Sequence, residues 1–182
     1  MNYSVYLRPL KFEDAKTSYK WRNNPKIWEF TPFKPTKLIS LAMEKVWLKK
    51  ALKNKNEYRF AICLLETGQY IGNIQLINVK NNSGCFHVFI GEPSFWSKGI
   101  GKEATSLILN YGFTKLGLDF ITLGVHKMNA FAKSVYYKMG FQPISEDGDF
   151  IEMALEKNHF YNLTNSIKSE PIQNPQEFLI NT

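Results

Sequence analysis

The sequence lacks the cysteine content and the long apolar runs that mark several classes of protein. Its 182 residues include two cysteines, Cys63 and Cys85, which are too few for a disulfide framework. No CxxC motif or Cys/His cluster is present, so we expect no metal site. The longest uncharged apolar runs are far shorter than the roughly 20 residues that a membrane span needs, so we expect no membrane partner.

The first residues also lack the basic start and apolar stretch of a signal peptide. Together with the low cysteine content, this predicts a reducing, cytoplasmic location. The hydrophobic fraction of 44% and the aromatic fraction of 15% suffice for a core, and the length fits one domain. We place this domain at residues 1–157 and a polar tail at 158–182, expected to dock by Phe178, Leu179 and Ile180.

Positive charge is in excess. Lysine and arginine together number 23 against 16 acidic residues, which gives a net charge of +7. Such an excess attracts anions, including nucleic acid, acidic lipid or a phosphorylated small molecule, and it also serves general solubility. The lysines are scattered, and no aromatic and basic block resembles an RNA-binding sheet, so we expect no nucleic-acid partner.

The first half of the chain is predicted to contain two helices and an antiparallel meander. The elements are a strand at 3–8, a helix at 12–24, an aromatic loop at 25–36, a helix at 37–53 and strands at 58–65, 69–79 and 84–91. Thr36 is the predicted cap of the second helix. Short turns separate the three later strands, as in a meander.

The second half alternates helices and strands. A glycine-bearing loop precedes a helix at 102–116, a strand at 119–126, a helix at 129–139 and a last strand at 149–156. Asn129 is a suitable N-cap, and Gly140 is a suitable helix end after which the chain enters a strand. The order of elements predicts a single domain of the α+β (mixed α/β) class.

The loop WSKGIGK, over residues 96–102, has the features of an anion site. Gly99 and Gly101 allow a bound group to approach the backbone closely. The following helix is predicted to begin near Lys102, so its free N–H groups would point into the loop. Lys98 and Lys102 add positive charge. The loop lacks the Walker pattern, and a purely structural tight turn is the alternative.

The second block, NAFAKSVYYKMGF over 129–141, joins a helix to a strand. It carries Asn129 at its start and Tyr136 in its last turn. A plain helix cap and a core tyrosine are the alternatives for these two residues.

Together the two blocks resemble the GNAT acyl-CoA N-acyltransferases, in particular the branch with ribosomal-protein N-terminal and diamine acetyltransferases. LRPLxxxD, over Leu7–Asp14, and WRNNP, over Trp21–Pro25, are similar to the same branch. The resemblance spans roughly residues 5–157. It implies a central, mostly antiparallel twisted sheet of about 6–7 strands flanked by about four helices, and acetyl-CoA as co-substrate.

The resemblance also implies roles for residues of both blocks, with Trp96 standing where the family usually has Gln or Arg. The coenzyme A pyrophosphate would lie on the backbone amides of Ser97, Lys98, Gly99, Ile100, Gly101 and Lys102. The pantetheine arm would pair with the backbone of the preceding strand at Val88, Phe89, Ile90 and Gly91. Asn129 would bond the arm or its neighbouring backbone, and Tyr136 would protonate the leaving thiolate.

The strand before the loop departs from its relatives. Cys85 stands where many have Glu, and His87 stands where many have Gly. His87 is a candidate general base, because its usual pKa of about 6.5 suits the task. Glu92 is a second candidate. A satisfied or surface histidine and a solvated carboxylate are the respective alternatives.

Residues 21–36 form the predicted acceptor pocket. They hold Arg22, Lys26 and Lys34 against Glu29 alone. This excess would repel a polyamine and suit an anionic amine such as a nucleotide-linked amino sugar, with its phosphates on Arg22 or a neighbouring lysine. Arg22, Trp28 and Glu29 are the candidate substrate-binding residues. Charges that face solvent and select nothing are the alternative.

The predicted function is direct transfer of an acetyl group from acetyl-CoA to a primary amine, by a monomer or homodimer. The amine belongs to a nucleotide-linked amino sugar or to a peptide N-terminus. A backbone N–H on the third meander strand would steady the oxyanion. The alternatives are a polyamine acetyltransferase, a coenzyme A-binding protein without activity, and a non-catalytic anion- or nucleic-acid-binding module.

Overall fold

The computed structural model of the chain describes residues 4–32 and 36–168. Within them, seven strands form one sheet in the order β1-β2-β3-β4-β5-β7-β6. β4 and β5 are parallel and all other neighbours are antiparallel, so the sheet is mostly antiparallel, as the resemblance implied. The predicted α+β class and single sheet are therefore confirmed.

The first half follows the predicted order with shifted bounds. Its elements are β1 (Val5–Pro9), α1 (Ala15–Arg22), α2 (Leu41–Ala51), β2 (Tyr58–Leu64), β3 (Tyr70–Lys80) and β4 (Ser83–Ile90). Short 3-10 helices precede and follow α1, at Phe12–Asp14 and Pro25–Trp28. The predicted first helix is shorter than expected because the 3-10 turn takes its first residues.

The predicted cap of α2 is wrong. Ser40, not Thr36, caps the helix, and its hydroxyl accepts a hydrogen bond from the Met43 N–H at 3.2 Å. Ser40 has the extended backbone of an N-cap residue immediately before the first helical turn. Leu38, which the prediction placed inside the helix, lies outside it and is 79% exposed.

The second half contains α3 (Ile100–Thr114), β5 (Phe120–His126), α4 (Ala130–Lys138), β6 (Gln142–Asp147), β7 (Phe150–Glu156) and α5 (Lys157–Lys168). A 3-10 helix at Pro93–Phe95 precedes the glycine loop. Asn129 caps α4 and Gly140 follows it with a φ of +93°, as predicted.

Apolar side chains alternate between the two faces of the sheet. In β2, Phe60 and Ile62 belong to the main core, whereas Ala61 and Cys63 belong to a smaller core with Leu48 of α2. The main core also includes most of the buried face of α3. The main core contains α3 and the smaller core contains residues of α1 and α2, so these helices lie on opposite sides of the sheet. Side chains of β4 therefore project toward both layers.

The folded unit extends beyond the predicted boundary at 157. Residues 157–168 form α5, and Phe160 is 7% exposed in the main core. Its ring stacks on Phe113 of α3, with the centroids 5.1 Å apart. The polar composition of this segment does not indicate the helix, whose Phe160 lies in the main core and whose Tyr161 packs against it. Phe178, Leu179 and Ile180 lie outside the described residues.

Over the described ranges, no helix is long and apolar enough to cross a bilayer. In the same part of the chain, no three His, Cys, Asp or Glu side chains are grouped so that they could hold a metal ion.

Candidate active site

The sheet opens between β4 and β5. These strands pair only from Ser83 to Cys85, opposite Phe120 to Thr122. β4 continues to Ile90 in register with β3, and β5 continues to His126 in register with β7. The far halves of β4 and β5 therefore each keep one edge without a strand partner, and a gap separates them.

The hydrogen-bond register shows which backbone groups of β4 face this gap. The Gly91 N–H donates to the Ile71 carbonyl of β3 at 2.8 Å. Antiparallel bonding alternates along a strand, so Phe89 also bonds to β3, whereas Val88 and Ile90 face the gap. Of the four residues predicted to pair with an extended ligand, Val88 and Ile90 are suitably oriented, and Phe89 and Gly91 are not.

The glycine loop turns into α3 at the open end of β4. Ser97 and Gly99 have φ angles of +60° and +81°. The left-handed Gly99 caps the helix, so α3 begins at Ile100 and not near Lys102 as predicted. No heavy atom lies within 4 Å of a Cβ built on Gly99 or Gly101. This open space, together with the free N–H groups of the first helical turn, forms an anion cradle.

Three side chains surround the cradle. The Lys98 ammonium lies 5.2 Å from the ring centroid of Phe95. Lys102 is exposed on the first turn of α3. The Trp96 Nε1–H donates to the Ile90 carbonyl at 2.9 Å, which ties the loop to the end of β4. Positive charge and a fixed loop backbone therefore accompany the free N–H groups.

Tyr136 packs on the gap from the side of the main core. Its ring makes edge contacts with Phe86 and Phe141, with centroids 5.9 and 5.8 Å away. Burial raises the pKa of Tyr136 to about 12. Its hydroxyl has no hydrogen-bond partner among the described residues. The group is therefore protonated at neutral pH and available as a proton donor.

Asn129 is first of all a helix cap. Its side-chain oxygen accepts from the Ala132 N–H at 3.0 Å. Its Nδ2 bonds to no described residue, so a donor remains beside the start of α4. The alternative of a plain cap and the predicted ligand contact are therefore compatible.

His87 lies on the opposite side of β4 from Tyr136. Its Nε2 is 3.4 Å from the thiol sulfur of Cys85, on the same face of the strand. Burial and the nearby Arg59 guanidinium lower the pKa of His87, although part of its surface remains exposed. Burial raises the pKa of Cys85. The pair is thus a neutral imidazole beside a neutral thiol near pH 7.

Glu92 is partly buried and hydrogen-bonded, so the alternative of a solvated carboxylate does not describe it. Its Oε1 accepts from the Trp21 Nε1–H at 2.9 Å. The Trp21 ring lies against Gly91, where a Cβ would come within 2.1 Å of it. Glu92 is therefore held at the end of β4, next to the gap.

A depression of about 680 Å³ lies beside α1, between the end of that helix and the start of α2. Its lining residues are Arg22, Asn23, Pro25, Lys26, Trp28, Glu29, Thr36, Lys37 and Leu38. Trp28 stacks on Phe89 of β4, and Phe30 stacks on His126 of β5, with centroids 5.4 and 5.7 Å apart. The loop that carries Glu29 therefore reaches from one side of the gap to the other.

Arg22 is enclosed at the base of this depression. Its Nε donates to the Oε2 of Glu44 at 3.2 Å. The guanidinium carbon also lies 5.3 Å from the Trp28 ring centroid and 4.2 Å from that of Trp47. The structure thus brings together the three predicted substrate residues, Arg22, Trp28 and Glu29, but it engages Arg22 in internal contacts.

Comparison with known proteins identifies the family. Residues 4–142 match the acetyltransferase (GNAT) domain. The chain belongs to the GNAT acetyltransferase family. The predicted family and enzyme class, an N-acetyltransferase, are therefore confirmed.

Two GNAT structures and one characterised relative illustrate the similarity. The spermidine N(1)-acetyltransferase of Escherichia coli strain K12 is 30% identical over 145 residues, which cover 76% of this chain and 73% of that protein. A spermidine N-acetyltransferase from Vibrio cholerae in complex with CoA and spermine has a TM-score of 0.80 at 24% identity, covering 88% of this chain and 100% of that one. Apo FdhC, a nucleotide-linked sugar GNAT, has a TM-score of 0.77 at 26% identity, covering 90% of this chain and 93% of that one.

As a GNAT enzyme, the chain uses acetyl-CoA as co-substrate. The residues present fit this molecule. The anion cradle at α3 suits a pyrophosphate, and the unpaired edge of β4 suits an extended, amide-bearing arm. The roles of individual residues in this binding remain predictions.

Sequence reasoning missed four residues around the GNAT site: Trp21, Glu44, Trp47 and Arg59. Glu44 had a local signal, because its spacing from Leu41 and Leu48 puts a carboxylate on the apolar face of α2. Trp21 also had a signal, because it opens the WRNNP motif. Arg59 lies two residues from its partner Glu57, but the contacts of Arg59 with Gln75 and of Trp47 with Arg22 and Arg59 join residues that are farther apart in the sequence.

Proposed function

We propose that this enzyme acetylates the primary amine of a small molecule that also carries negative charge, with a nucleotide-linked amino sugar as the best-fitting class. The observation that carries the proposal is the charge of the depression: its lining includes Arg22, Lys26 and Lys37, and Glu29 is the only carboxylate among its described lining residues. Lys26 and Lys37 are exposed and form no ion pair with a described residue. They are available to bind a phosphate.

We assign the phosphate contact to these two lysines and not to Arg22, which was the candidate from the sequence. Arg22 Nε is bonded to Glu44, and aromatic rings contact its guanidinium. Arg22 therefore contributes positive potential at the base of the depression, while the exposed lysines make the direct contacts. Trp28 offers a ring surface and Glu29 a carboxylate for the amine-bearing part of the acceptor.

The proposed transfer takes place in the gap beside β4. The neutral amine attacks the thioester carbonyl, and His87, on the side of α1 and α2, accepts the proton that the nitrogen loses as the amide forms and the C–S bond breaks. A gap-facing N–H of β4, such as that of Val88, stabilises the oxyanion. Tyr136 gives its proton to the departing thiolate from the core side. No enzyme nucleophile is needed, and Glu92 is the second candidate for the base.

The coenzyme contacts belong to the same proposal. The pyrophosphate lies on the backbone N–H groups from Ser97 to Lys102, and the arm lies along Val88 and Ile90. The Asn129 Nδ2, which bonds to no described residue, donates to the arm in this proposal. The free N–H groups, the open space beside both glycines and the unpaired strand edge support this assignment.

A polyamine is the competing acceptor, because the similar Escherichia coli protein is a spermidine acetyltransferase. A polycation requires clustered carboxylates. In the described part of the depression, Glu29 is exposed, and Glu44 beneath it is already neutralised by Arg22. The similarity to FdhC, a nucleotide-linked sugar GNAT, favours the anionic acceptor.

A competition assay tests the proposal. Spermidine, a peptide with a free N-terminus and a nucleotide-linked amino sugar are supplied at equal concentration with acetyl-CoA, and each acetylated product is quantified. We expect the highest kcat/KM for the nucleotide-linked amino sugar. The highest kcat/KM for spermidine would contradict the charge argument.

Variants of the lysines locate the acceptor. Lys26→Gln and Lys37→Gln should each raise the KM for the nucleotide-linked amino sugar about fivefold or more, because each removes a charge-assisted contact. Lys80→Gln, which removes an exposed charge from the far end of β3, is the matched control. An equal effect of all three variants would show that only the overall charge matters.

We further propose a cytoplasmic location, action as a monomer or homodimer, and no nucleic-acid partner. Both cysteines are free thiols, which suits a reducing compartment. A salt titration of nucleic-acid binding checks the last point, because a steep salt dependence would indicate a real phosphate-binding surface.

A further inference from the structure

Arg59, Gln75 and His87 form one row of side chains across three strands. Arg59 of β2 is paired with Gln75 of β3, and Gln75 is paired with His87 of β4. Directly paired residues on neighbouring strands project from the same face of a sheet. The row therefore runs along the side that faces α1 and α2 and ends at the gap.

Arg59 is held at its end of the row by contacts with three residues. Its Nη2 pairs with the Glu57 carboxylate at 2.6 Å, and its guanidinium carbon lies 5.2 Å from the ring centroid of Trp47. Its Nη1 donates to the Oε1 of Gln75. The side chain is 11% exposed. Unlike a surface arginine, it cannot swing into solvent without breaking its contacts with all three residues.

Gln75 lies between this cation and His87 in the row. The amide oxygen of Gln75 accepts from Arg59. Its NH₂ group is therefore the part of the side chain that remains available toward His87. That group can donate to a neutral imidazole nitrogen but not to an imidazolium, which has no acceptor.

The charged and titratable groups around His87 come from five elements, because the Glu152 carboxylate of β7 also lies near enough to Cys85 to contribute, after burial, to its raised pKa. Cys85 contacts it within β4, and Arg59 with its partner Glu57 approaches from β2 and the residues before it. On the helical side, Arg22 of α1 lies against Trp47 and is neutralised by Glu44 of α2. Among the described residues, no carboxylate bonds to His87.

We infer that Arg59 and Gln75 are positioning residues for the base: they fix the His87 ring at the gap and favour its neutral, proton-accepting form. The inference rests on the proposed function of His87. A buried cation two strands away disfavours a second positive charge, and Glu57 offsets only part of it. The lowered pKa of His87 has the direction that this arrangement requires.

NMR titration of the histidine rings tests the inference without substrate. The chain has three histidines, and the His87 signals are assigned by their loss in His87→Gln. In Arg59→Gln we expect the titration midpoint of His87 to move to higher pH. Arg59→Lys, which keeps the charge, and Lys80→Gln, which removes a remote charge, should leave the midpoint close to that of the wild type.

A second variant covers the case in which Arg59→Gln does not fold. Gln75→Glu keeps a partner for Arg59 and puts a carboxylate beside His87, so it should also move the midpoint upward. A His87 midpoint that is unchanged in every folded protein among Arg59→Gln and Gln75→Glu would overturn the inference.

Kinetics separates this inference from the proposed function. With acetyl-CoA and the amine of highest kcat/KM, Arg59→Gln should lose about threefold or more of its kcat/KM near pH 6 and little near pH 8, because the base is then largely protonated at the lower pH. An equal loss at both pH values would show a merely structural role and would overturn the inference. Unchanged activity of His87→Gln would instead refute the proposed base.

Discussion

Arg22 and Glu44 form an ion pair beneath the acceptor depression, with 3.2 Å between Nε and Oε2. Glu44 is 2% exposed and also accepts a hydrogen bond from the Ser18 hydroxyl at 2.6 Å. A carboxylate this deeply buried requires its cation. Arg22 therefore supports the depression from below, and its removal affects folding before it affects binding.

Arg22→Ala should destabilise the protein by about 3–5 kcal/mol, because it leaves the buried Glu44 charge without a partner. Urea unfolding followed by circular dichroism measures this loss. The double variant Arg22→Ala/Glu44→Gln should recover part of it, since the orphaned charge is then removed. An Arg22→Ala variant as stable as the wild type would contradict the structural role.

Tyr136→Phe should lower kcat by about 100-fold, because the leaving thiolate loses its proton donor. Binding of acetyl-CoA, measured by calorimetry, should barely change. The neighbouring Tyr137 is 47% exposed, so Tyr137→Phe is a matched control that should retain full activity. Equal kcat for Tyr136→Phe and the wild type would show that Tyr136 only packs the core.

We expect kcat not to decline in the mildly alkaline range. Burial raises the pKa of Tyr136 to about 12, so its hydroxyl keeps its proton there. The acid side should instead be governed by His87, which must be deprotonated to act as a base. Its lowered pKa moves this limb to lower pH than for an ordinary histidine. A kcat decline that begins near pH 9 and disappears in Tyr136→Phe would contradict the assignment.

Gly101→Asp should abolish acetyl-CoA binding, because it puts bulk and negative charge where the pyrophosphate is proposed to lie. Calorimetry measures the affinity, and thermal unfolding verifies the fold. Gly101→Ala adds less bulk and no charge, and its Cβ meets no protein heavy atom within 4 Å, so it should keep the fold and weaken binding less than Gly101→Asp. Unchanged affinity in a folded Gly101→Asp protein would exclude this site.

Gly91→Ala should destabilise the protein by about 1–3 kcal/mol, because the added Cβ would overlap the Trp21 ring. The built distance is only 2.1 Å, and Trp21 would have to withdraw from Glu92. Gly124→Ala in β5 is the control, since its Cβ would meet no atom within 4 Å. Equal unfolding midpoints for both variants would contradict this packing.

Predictions from the sequence were accurate where the signal is local. The meander, the Asn129 cap and the turn at Gly140 follow from alternation, capping and glycine geometry over a few residues. The start of α3 and the cap of α2 were wrong for a related reason. Several nearby residues could satisfy the same local rule, and the three-dimensional path selected Gly99 and Ser40.

The sequence by itself determined the order of the elements, the glycine loop and the family, because each depends on residues close together in the chain. Only the tertiary structure decided which backbone groups of β4 face the gap, since this depends on its register with β3. It also decided that Arg22 is bound by Glu44 and that Arg59 shares a row with His87. These partners lie on different elements, and packing, not spacing, brings them together.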